Sequence, residues 1–276
     1  MEHLTSNGLL EEFQSAYRAL HSTETALLRV QHDIASTLDQ NRAVALVMLD
    51  FSAAFDTIDQ EQLLHLLHTE YGLNGRALSW FQTYLEGRTQ RVQIDSETSD
   101  HVPLRFGVPQ GSVMGPITFT LYTTPMRRII QKHGVSYHKY ADDIQLYVTF
   151  DPSIPGDRER AVERLTACIK ELRQWMMAHW LKLNDGKTEL VMFMSKHHLR
   201  KHGQCTISIG DSTISPAEHV RNLGVQMDRH LDMVSQVTAT CASCNYQLIR
   251  LSSIRRYITM DAARTVVQAL VTSRLD

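Results

Sequence analysis

Val135-Ser136-Tyr137-His138-Lys139-Tyr140-Ala141-Asp142-Asp143-Ile144-Gln145-Leu146-Tyr147-Val148-Thr149-Phe150 decides how this chain is read. Two adjacent carboxylates, Asp142 and Asp143, stand between two strand-like runs. Beyond the pair, Ile144, Leu146, Val148 and Phe150 alternate with Gln145, Tyr147 and Thr149, the period of a half-buried strand. Such a strand packs one face on a core and holds rigidly whatever lies at its end. Neighbouring aspartates at a hairpin tip repel one another, and burying them without a partner is costly. A hard divalent cation with oxygen ligands is the simplest positive partner. An isolated Asp-Asp is more often a polar turn, so the meaning of the pair depends on the rest of the chain.

Working outward, Ala43-Val44-Ala45-Leu46-Val47-Met48-Leu49 reads as a buried strand that delivers Asp50 at its C-terminal end. Ligand and catalytic groups often sit at such ends, although a helix cap or turn would use Asp50 as well. Phe55, a few residues on, reads by itself as a core residue. Asn184-Asp185-Gly186 turns the chain toward Lys187 and a strand over 189–195; a lone Lys there is usually solvated. If the strand ending at Asp50 neighbours the Asp142-Asp143 hairpin, three carboxylates converge as in a two-metal site for phosphoryl transfer. Mg2+ suits such a site, because it takes few carboxylates and completes its shell with water and phosphate. Periodicity leaves the pairing of the two strands open.

Gly107-Val108-Pro109-Gln110-Gly111-Ser112-Val113-Met114-Gly115-Pro116 is the second unusual stretch. Its glycines and prolines predict a fixed irregular loop that lets backbone approach a partner closely, feeding the helix 117–132 with Pro116 in the first turn. Ser22 predicts a cap for a helix with Leu27, Val30, Ile34 and Leu38 on one face, and Asp59 a cap for the helix ending at Gly72. A second helix runs to Gly87, and a hairpin follows with strands 88–94 and 102–106 about a polar loop from Ser96 to Asp100. Gly156-Asp157 opens a long helix whose stripe runs Val162, Leu165, Ile169, Leu172, Met176, Trp180. Short strands over 205–210 and 220–228 are expected to complete the sheet. From Leu231 the pattern becomes helical, with Cys241 and Cys244 on the apolar stripe as core thiols rather than zinc ligands.

Composition narrows the class. A hydrophobic share of 43% over 276 residues supports a large globular core. The net charge of -2 excludes a uniformly basic protein, so nucleic-acid contact must come from local patches such as the cation-rich 196–203, or through bound metal. Four scattered cysteines fit a reduced compartment without a disulfide framework. No secretion signal is read at the N-terminus, and the longest aliphatic run is far too short to cross a membrane. An intracellular protein, nuclear or cytoplasmic, is expected.

In order and spacing, LDFSAAFDTID (49–59), FGVPQGSVMGP (106–116), YADDIQLY (140–147), LKLNDGKTE (181–189) and NLGVQMD (222–228) resemble the motifs of reverse transcriptases. The resemblance is strongest to those of non-LTR (LINE-type) retrotransposons, in which FQSAYRALHSTETALL (13–28) is similar to the segment before the first catalytic motif. It implies an α+β right-hand polymerase fold: a reverse transcriptase domain over 1–230, with partial fingers at 1–42 and 66–106 and an antiparallel palm sheet backed by helices in the remainder, then the start of a helical thumb at 231–276.

Asp50, Asp142 and Asp143 match the catalytic, metal-binding aspartates, and the Phe51 carbonyl a further ligand of two Mg2+ ions, with Mn2+ as substitute. Phe55 matches the bulky residue beneath the incoming sugar, where a 2′-hydroxyl would clash. Gln110 and Gly111 match positions beside the nascent base pair and template. Arg18 and Lys187 match contacts to the triphosphate, Lys187 also a proton donor to pyrophosphate. Tyr140 and Leu223-Gly224 match contacts to the primer.

The implied partners are an RNA template, a DNA primer and dNTPs, with no protein partner. Relatives carry more fingers sequence before this start, and more thumb after its end. The resemblance therefore implies a form shortened at both ends, either an RNA-directed DNA polymerase core or a catalytically impaired remnant that only binds nucleic acid. A metal-dependent nuclease would use the same carboxylates but leave Phe55, Gln110 and the glycine-rich loop without a task.

Overall fold

The computed structural model describes residues 2–52, 54–109, 111–195, 197–199, 205–210 and 212–275. The chain divides into two compact units, Met1–Ala217 and Glu218–Asp276.

In the first unit a short helix α1 (Glu2–Ser6) precedes α2 (Thr23–Asp39), which starts where Ser22 and Thr25 cap each other reciprocally. The run of seven apolar residues forms β1 (Ala43–Leu49), continued by the two-residue β2 (Phe51–Ser52). Helices α3 (Gln60–Thr69, capped by the Asp59 carboxylate) and α4 (Gly75–Leu85) follow. Next comes an exposed ribbon of β3 (Thr89–Gln90), β4 (Gln93–Ile94), β5 (Glu97–Thr98) and β6 (Val102–Pro103). Its turn is tighter than predicted. Gln93 pairs with Thr98 and Ile94 with Glu97, so only Asp95-Ser96 turn the chain, with Asp95 at φ 52°.

The helix predicted over 117–132 is two, α5 (Met114–Thr123) and α6 (Met126–Lys132). Pro125 causes the break: it has no N–H for the Leu121 carbonyl and its ring would collide with it. Leu121 O instead accepts the buried Tyr71 hydroxyl at 2.8 Å. After β7 (Ser136–Tyr140) and β8 (Asp143–Phe150) comes the long helix α7 (Asp157–Ala178). The buried stripe of α7 ends at Met176; Trp180 lies past the helix at φ 57° and is exposed, 5.7 Å from the Phe106 ring. Then come β9 (Lys182–Leu183), β10 (Glu189–Phe193), the hairpin β11 (Ile207–Ile209) with β12 (Ser212–Ile214), and β13 (Pro216–Ala217).

The main sheet has the order β13-β10-β1-β8-β7 and is antiparallel except for β10 with β13. Cross-strand partners share a face, which sorts the core into two layers. Ala45, Val47, Leu49, Ile144, Leu146 and Val148 join the cluster containing Leu165, Ile169 and Leu172 of α7 and Phe119 of α5. Val44 and Leu46 face the other way with Tyr147, whose hydroxyl bonds to Asp33 of α2, so α2 with Ala26, Leu27, Val30 and Ile34 covers that side.

The half-buried reading of β8 therefore needs correction. Gln145 and Tyr147 are buried too, because α2 lies over the face that the polar alternation assigned to solvent. Burial on both faces pins the register, since a one-residue slip would exchange the layers along the whole of β1. The strands over 205–210 and 220–228 do not enter this sheet; each forms its own two-stranded hairpin.

In the second unit, β14 (His219–Asn222) and β15 (Val225–Asp228) form a hairpin. Two helices follow, α8 (Val234–Ile254) and α9 (Met260–Leu270). The Asp228 carboxylate accepts the N–H groups of His230 at 2.8 Å and Met233 at 2.9 Å and so shapes the turn before α8. Cys244 is buried, as predicted, and its Sγ lies 3.9 Å from the Val271 carbonyl. Cys241 is exposed, as are Val234, Val237 and Leu248, so the predicted apolar stripe is covered only in part. Among the described residues no helix is long and apolar enough to cross a membrane.

Candidate active site

The last pair between β1 and β8 is Leu49 with Ile144. There the ladder ends, and the next residues on the two strands are Asp50 and Asp143, near enough that the Asp50 charge acts on the Asp143 carboxyl. Both residues thus lie at one end of the sheet. Asp142 is adjacent, in the two-residue turn that joins Tyr140 to its partner Asp143. Ala141 at the first central position takes φ 56°, the sign a II′ hairpin needs and one that glycine usually supplies.

Charge confirms the crowding. Burial, then the charges of Asp142 and Asp50, push the Asp143 carboxyl up to about 6, against the pull of Lys187. The Lys187 ammonium lies 3.2 Å from Asp50 Oδ2. That oxygen is closed to solvent and accepts no hydrogen bond, so the two groups attract without a well-aligned bond. Among the described residues no group of three or more His, Cys, Asp or Glu side chains is placed to hold a metal ion. The donor set nevertheless fits a hard cation: neighbouring carboxylates, one with an unbonded buried oxygen and one short of compensating charge.

The backbone adds a further donor. Asn184 N–H donates to the Asp50 carbonyl at 2.9 Å, flanking the pair Phe51–Leu183 between β2 and β9. Phe51 is thus in the non-hydrogen-bonded position of that ladder, and its own carbonyl points away from β9. The Phe51 ring faces the core, edge-on to Phe119.

Phe55 is half-buried, its ring 4.8 Å from that of Phe119 and tilted 37° to it, in a turn latched to the glycine-rich loop. Val108 N–H donates to Phe55 O at 3.0 Å, Gly107 N–H to Ile58 O at 2.7 Å, and Gln60 Nε2 to Gly107 O at 3.0 Å. Gly107 takes φ 81°, and a Cβ there would lie 2.9 Å from the Asp56 Cα and carbonyl oxygen, so only glycine fits. Ser112 Oγ binds the loop's far side, bonding Tyr84 OH at 2.6 Å and Pro109 O at 2.7 Å and accepting Gly115 N–H at 3.0 Å.

Residues 1–227 match the family model described as reverse transcriptase (RNA-dependent DNA polymerase). The chain belongs to the reverse transcriptase family. It is 23% identical over 271 residues to the RNA-directed DNA polymerase from mobile element jockey of Drosophila funebris, covering 95% of this chain and 28% of that protein. To the corresponding jockey protein of Drosophila melanogaster it is 26% identical over 268 residues, covering 91% and 28%. This reverse transcriptase chain thus spans a little over a quarter of the length of those relatives. Its fold resembles telomerase from Candida tropicalis, solved in complex with a fragment of telomeric RNA, at TM-score 0.59 and 12% identity over 98% of this chain and 44% of that one. Telomerase from Candida albicans superposes at TM-score 0.52 and 12% identity, over 90% and 40%.

Within this reverse transcriptase fold, Asp50, Phe51, Asp142, Asp143, Tyr140 and Lys187 are gathered at one sheet end. Arg18 Nη1 is bonded to the Glu11 carbonyl at 3.1 Å, with no ion pair to the aspartates. Gly111 takes φ 75° with open space around its Cα, and Gln110 lies outside the described residues. Leu223 and Gly224, at φ 45° and 92°, make the two-residue turn between β14 and β15 in the second unit. Two neighbours of the hairpin were not foreseen. The Tyr17 phenol is pushed up by burial and then by Asp142 and Tyr140, so it feels the charge of that turn. Gln14 touches the hairpin itself; 127 residues separate it from Ala141, and no spacing rule links positions so far apart.

Proposed function

We propose that this chain carries the catalytic core of an RNA-directed DNA polymerase that adds dNTPs to the 3′-hydroxyl of a DNA primer annealed to an RNA template. The observation that supports this reading is the register of β1 on β8, whose last pair, Leu49 with Ile144, leaves Asp50 and Asp143 as the next residues at one sheet end, with Asp142 beside them. Two Mg2+ ions, for which Mn2+ would substitute, would be held by Asp50, Asp142, Asp143 and the Phe51 carbonyl, and supply activation of the primer hydroxyl and neutralisation of the phosphate oxygens.

The chain's own groups do the positioning on which phosphoryl transfer depends. Lys187, two-thirds exposed, is free to swing from Asp50 to the triphosphate and to give a proton to the leaving pyrophosphate. Arg18 supplies a second cation to the phosphates. Phe55, braced on Phe119, presents a rigid ring beneath the sugar and so favours deoxynucleotides. By the family resemblance Gln110 and Gly111 would contact the template, Tyr140 the primer, and Leu223-Gly224, in the second unit, the primer as well. Substrates of this kind place the activity in the nucleus or the cytoplasm.

Primer extension tests the reading, with purified chain, RNA template, annealed DNA primer, dNTPs and Mg2+, and Asp142→Asn as control. Extension that the substitution abolishes supports it. Tight template-primer binding without extension would make the chain a binding remnant instead. Cleavage of nucleic acid without added dNTPs would mean a nuclease.

A further inference from the structure

Residues 13–15 lie alongside β7 as an extra rung, parallel to it at Lys139. Lys139 N–H donates to Phe13 O at 2.7 Å, and Ser15 N–H to Lys139 O at 3.1 Å. Between them Gln14, only 2% exposed, sends its side chain past the strand end to the aspartate hairpin. Its Oε1 accepts the N–H of Ala141 at 3.0 Å and of Ala16 at 3.0 Å, while its Nε2 donates to the Ala141 carbonyl at 3.4 Å. Two N–H groups aimed at one end of the amide determine which end is oxygen, so the orientation is unambiguous.

A two-residue hairpin normally turns the backbone groups of its central residues to water. Here both groups of Ala141 are held by one buried side chain, and Ala141 itself is 8% exposed. The residue so held has φ 56° and a Cβ, a sparsely populated state that costs about 1–3 kcal/mol without glycine. An outside clamp that satisfies both backbone groups is what such a turn requires to keep one geometry.

We infer that Gln14 is a positioning residue for the catalytic hairpin. It locks Ala141 in its positive-φ state and thereby sets the direction in which Asp142 and Asp143 leave the turn. It touches neither carboxylate, and acts through Ala141. This inference rests on the polymerase reading for its consequence in activity, but its geometric content stands apart from it. The clamp also ties the segment bearing Tyr17 and Arg18 to the hairpin, so two regions of the site move as one body.

The test uses Gln14→Leu, which removes both bonds at similar bulk, Ala141→Gly, which makes positive φ intrinsically accessible, and the double variant. Assayed below its melting temperature, Gln14→Leu is expected to lower kcat on the order of 10- to 100-fold, as for a small misplacement of reacting groups. The half-saturating Mg2+ concentration should rise with it, while KM for dNTP changes less than about twofold on the scale of uniform binding effects. Adding Ala141→Gly should recover at least about tenfold of the lost kcat.

A lower melting temperature with kcat and Mg2+ half-saturation unchanged, or a double variant no better than Gln14→Leu, would overturn the inference. Should the wild-type chain extend no primer, the polymerase reading fails by itself. Gln14 is then judged by hydrogen exchange at the Ala141 amide and by binding of Mn2+ alone. Loss of amide protection and weaker Mn2+ binding in Gln14→Leu uphold the clamp, and wild-type values for both refute it.

Discussion

Gly107→Ala should unlatch the glycine-rich loop from the turn that bears Phe55. The φ of 81° alone costs an alanine about 1–2 kcal/mol. Steric overlap adds to this, because the new Cβ would lie 2.9 Å from backbone atoms of Asp56, which cannot swing aside as a side-chain tip would. Relief requires the loop to move, yet it is held by the bonds Gly107 N–Ile58 O, Val108 N–Phe55 O and Gln60 Nε2–Gly107 O. Losing two of them at about 0.5–1.5 kcal/mol each brings the total to about 2–5 kcal/mol.

Gly111→Ala is the matched control. Its φ of 75° carries the same conformational penalty, but nothing lies within 4 Å of the added carbon. It should therefore cost only about 1–2 kcal/mol. Urea unfolding followed by tryptophan fluorescence measures both, since Trp80, Trp175 and Trp180 all lie in the first unit. With a slope of about 2.5 kcal/mol per molar, Gly107→Ala moves the midpoint by about 1–2 M and Gly111→Ala by less than about 1 M. Equal shifts for the two variants would refute the steric reasoning and leave backbone strain alone.

Three further outcomes follow from the packing. Phe55→Val should raise the ratio of ribonucleotide to deoxynucleotide kcat/KM at least about tenfold in primer extension; an unchanged ratio would remove Phe55 from sugar discrimination. Tyr71→Phe should cost about 1–2 kcal/mol by taking the hydroxyl from the Leu121 carbonyl, less in a Pro125→Ala background that restores an N–H, and a double-mutant cycle reads the coupling. Burial, then the charge of Arg29, depress the buried His138 imidazole from 6.5 to about 4, with Asp33 opposing. Because its folded pKa is the lower one, its share of stability is intact above pH 6.5 and is lost as pH falls toward 4, by about 3 kcal/mol in all. Melting curves between pH 7 and 4 should show that loss in the wild type and a flatter profile in His138→Gln.

Much of this architecture could be read along the chain because its signals are local. Seven apolar residues before Asp50 specify a strand buried on both faces, Ser22 and Asp59 announce helix starts, and glycine at 107 reports a conformation that other residues resist. The aspartates proposed as catalytic stood out for the same reason, being attached to strands whose ends are marked by polarity. Where reading failed, the deciding group was distant. Polar alternation in β8 predicted an exposed face, yet α2 covers it and Tyr147 finds Asp33. Cys241 and Cys244 shared a stripe on paper, but the fold buries only the second. Pro125, within an otherwise helical pattern, divides one predicted helix into two.

By itself, then, the sequence determined which residues carry charge at strand ends, where helices begin, and to which family of motifs they belong. Only the tertiary structure decided that Asp50 and Asp143 lie at the same end of one sheet, because strand pairing joins positions with no neighbourhood in the chain and is selected by burial on both faces of the sheet. It alone decided too that Gln14 grips Ala141, since a hydrogen bond depends on distance in space and leaves no periodicity for a reader to detect.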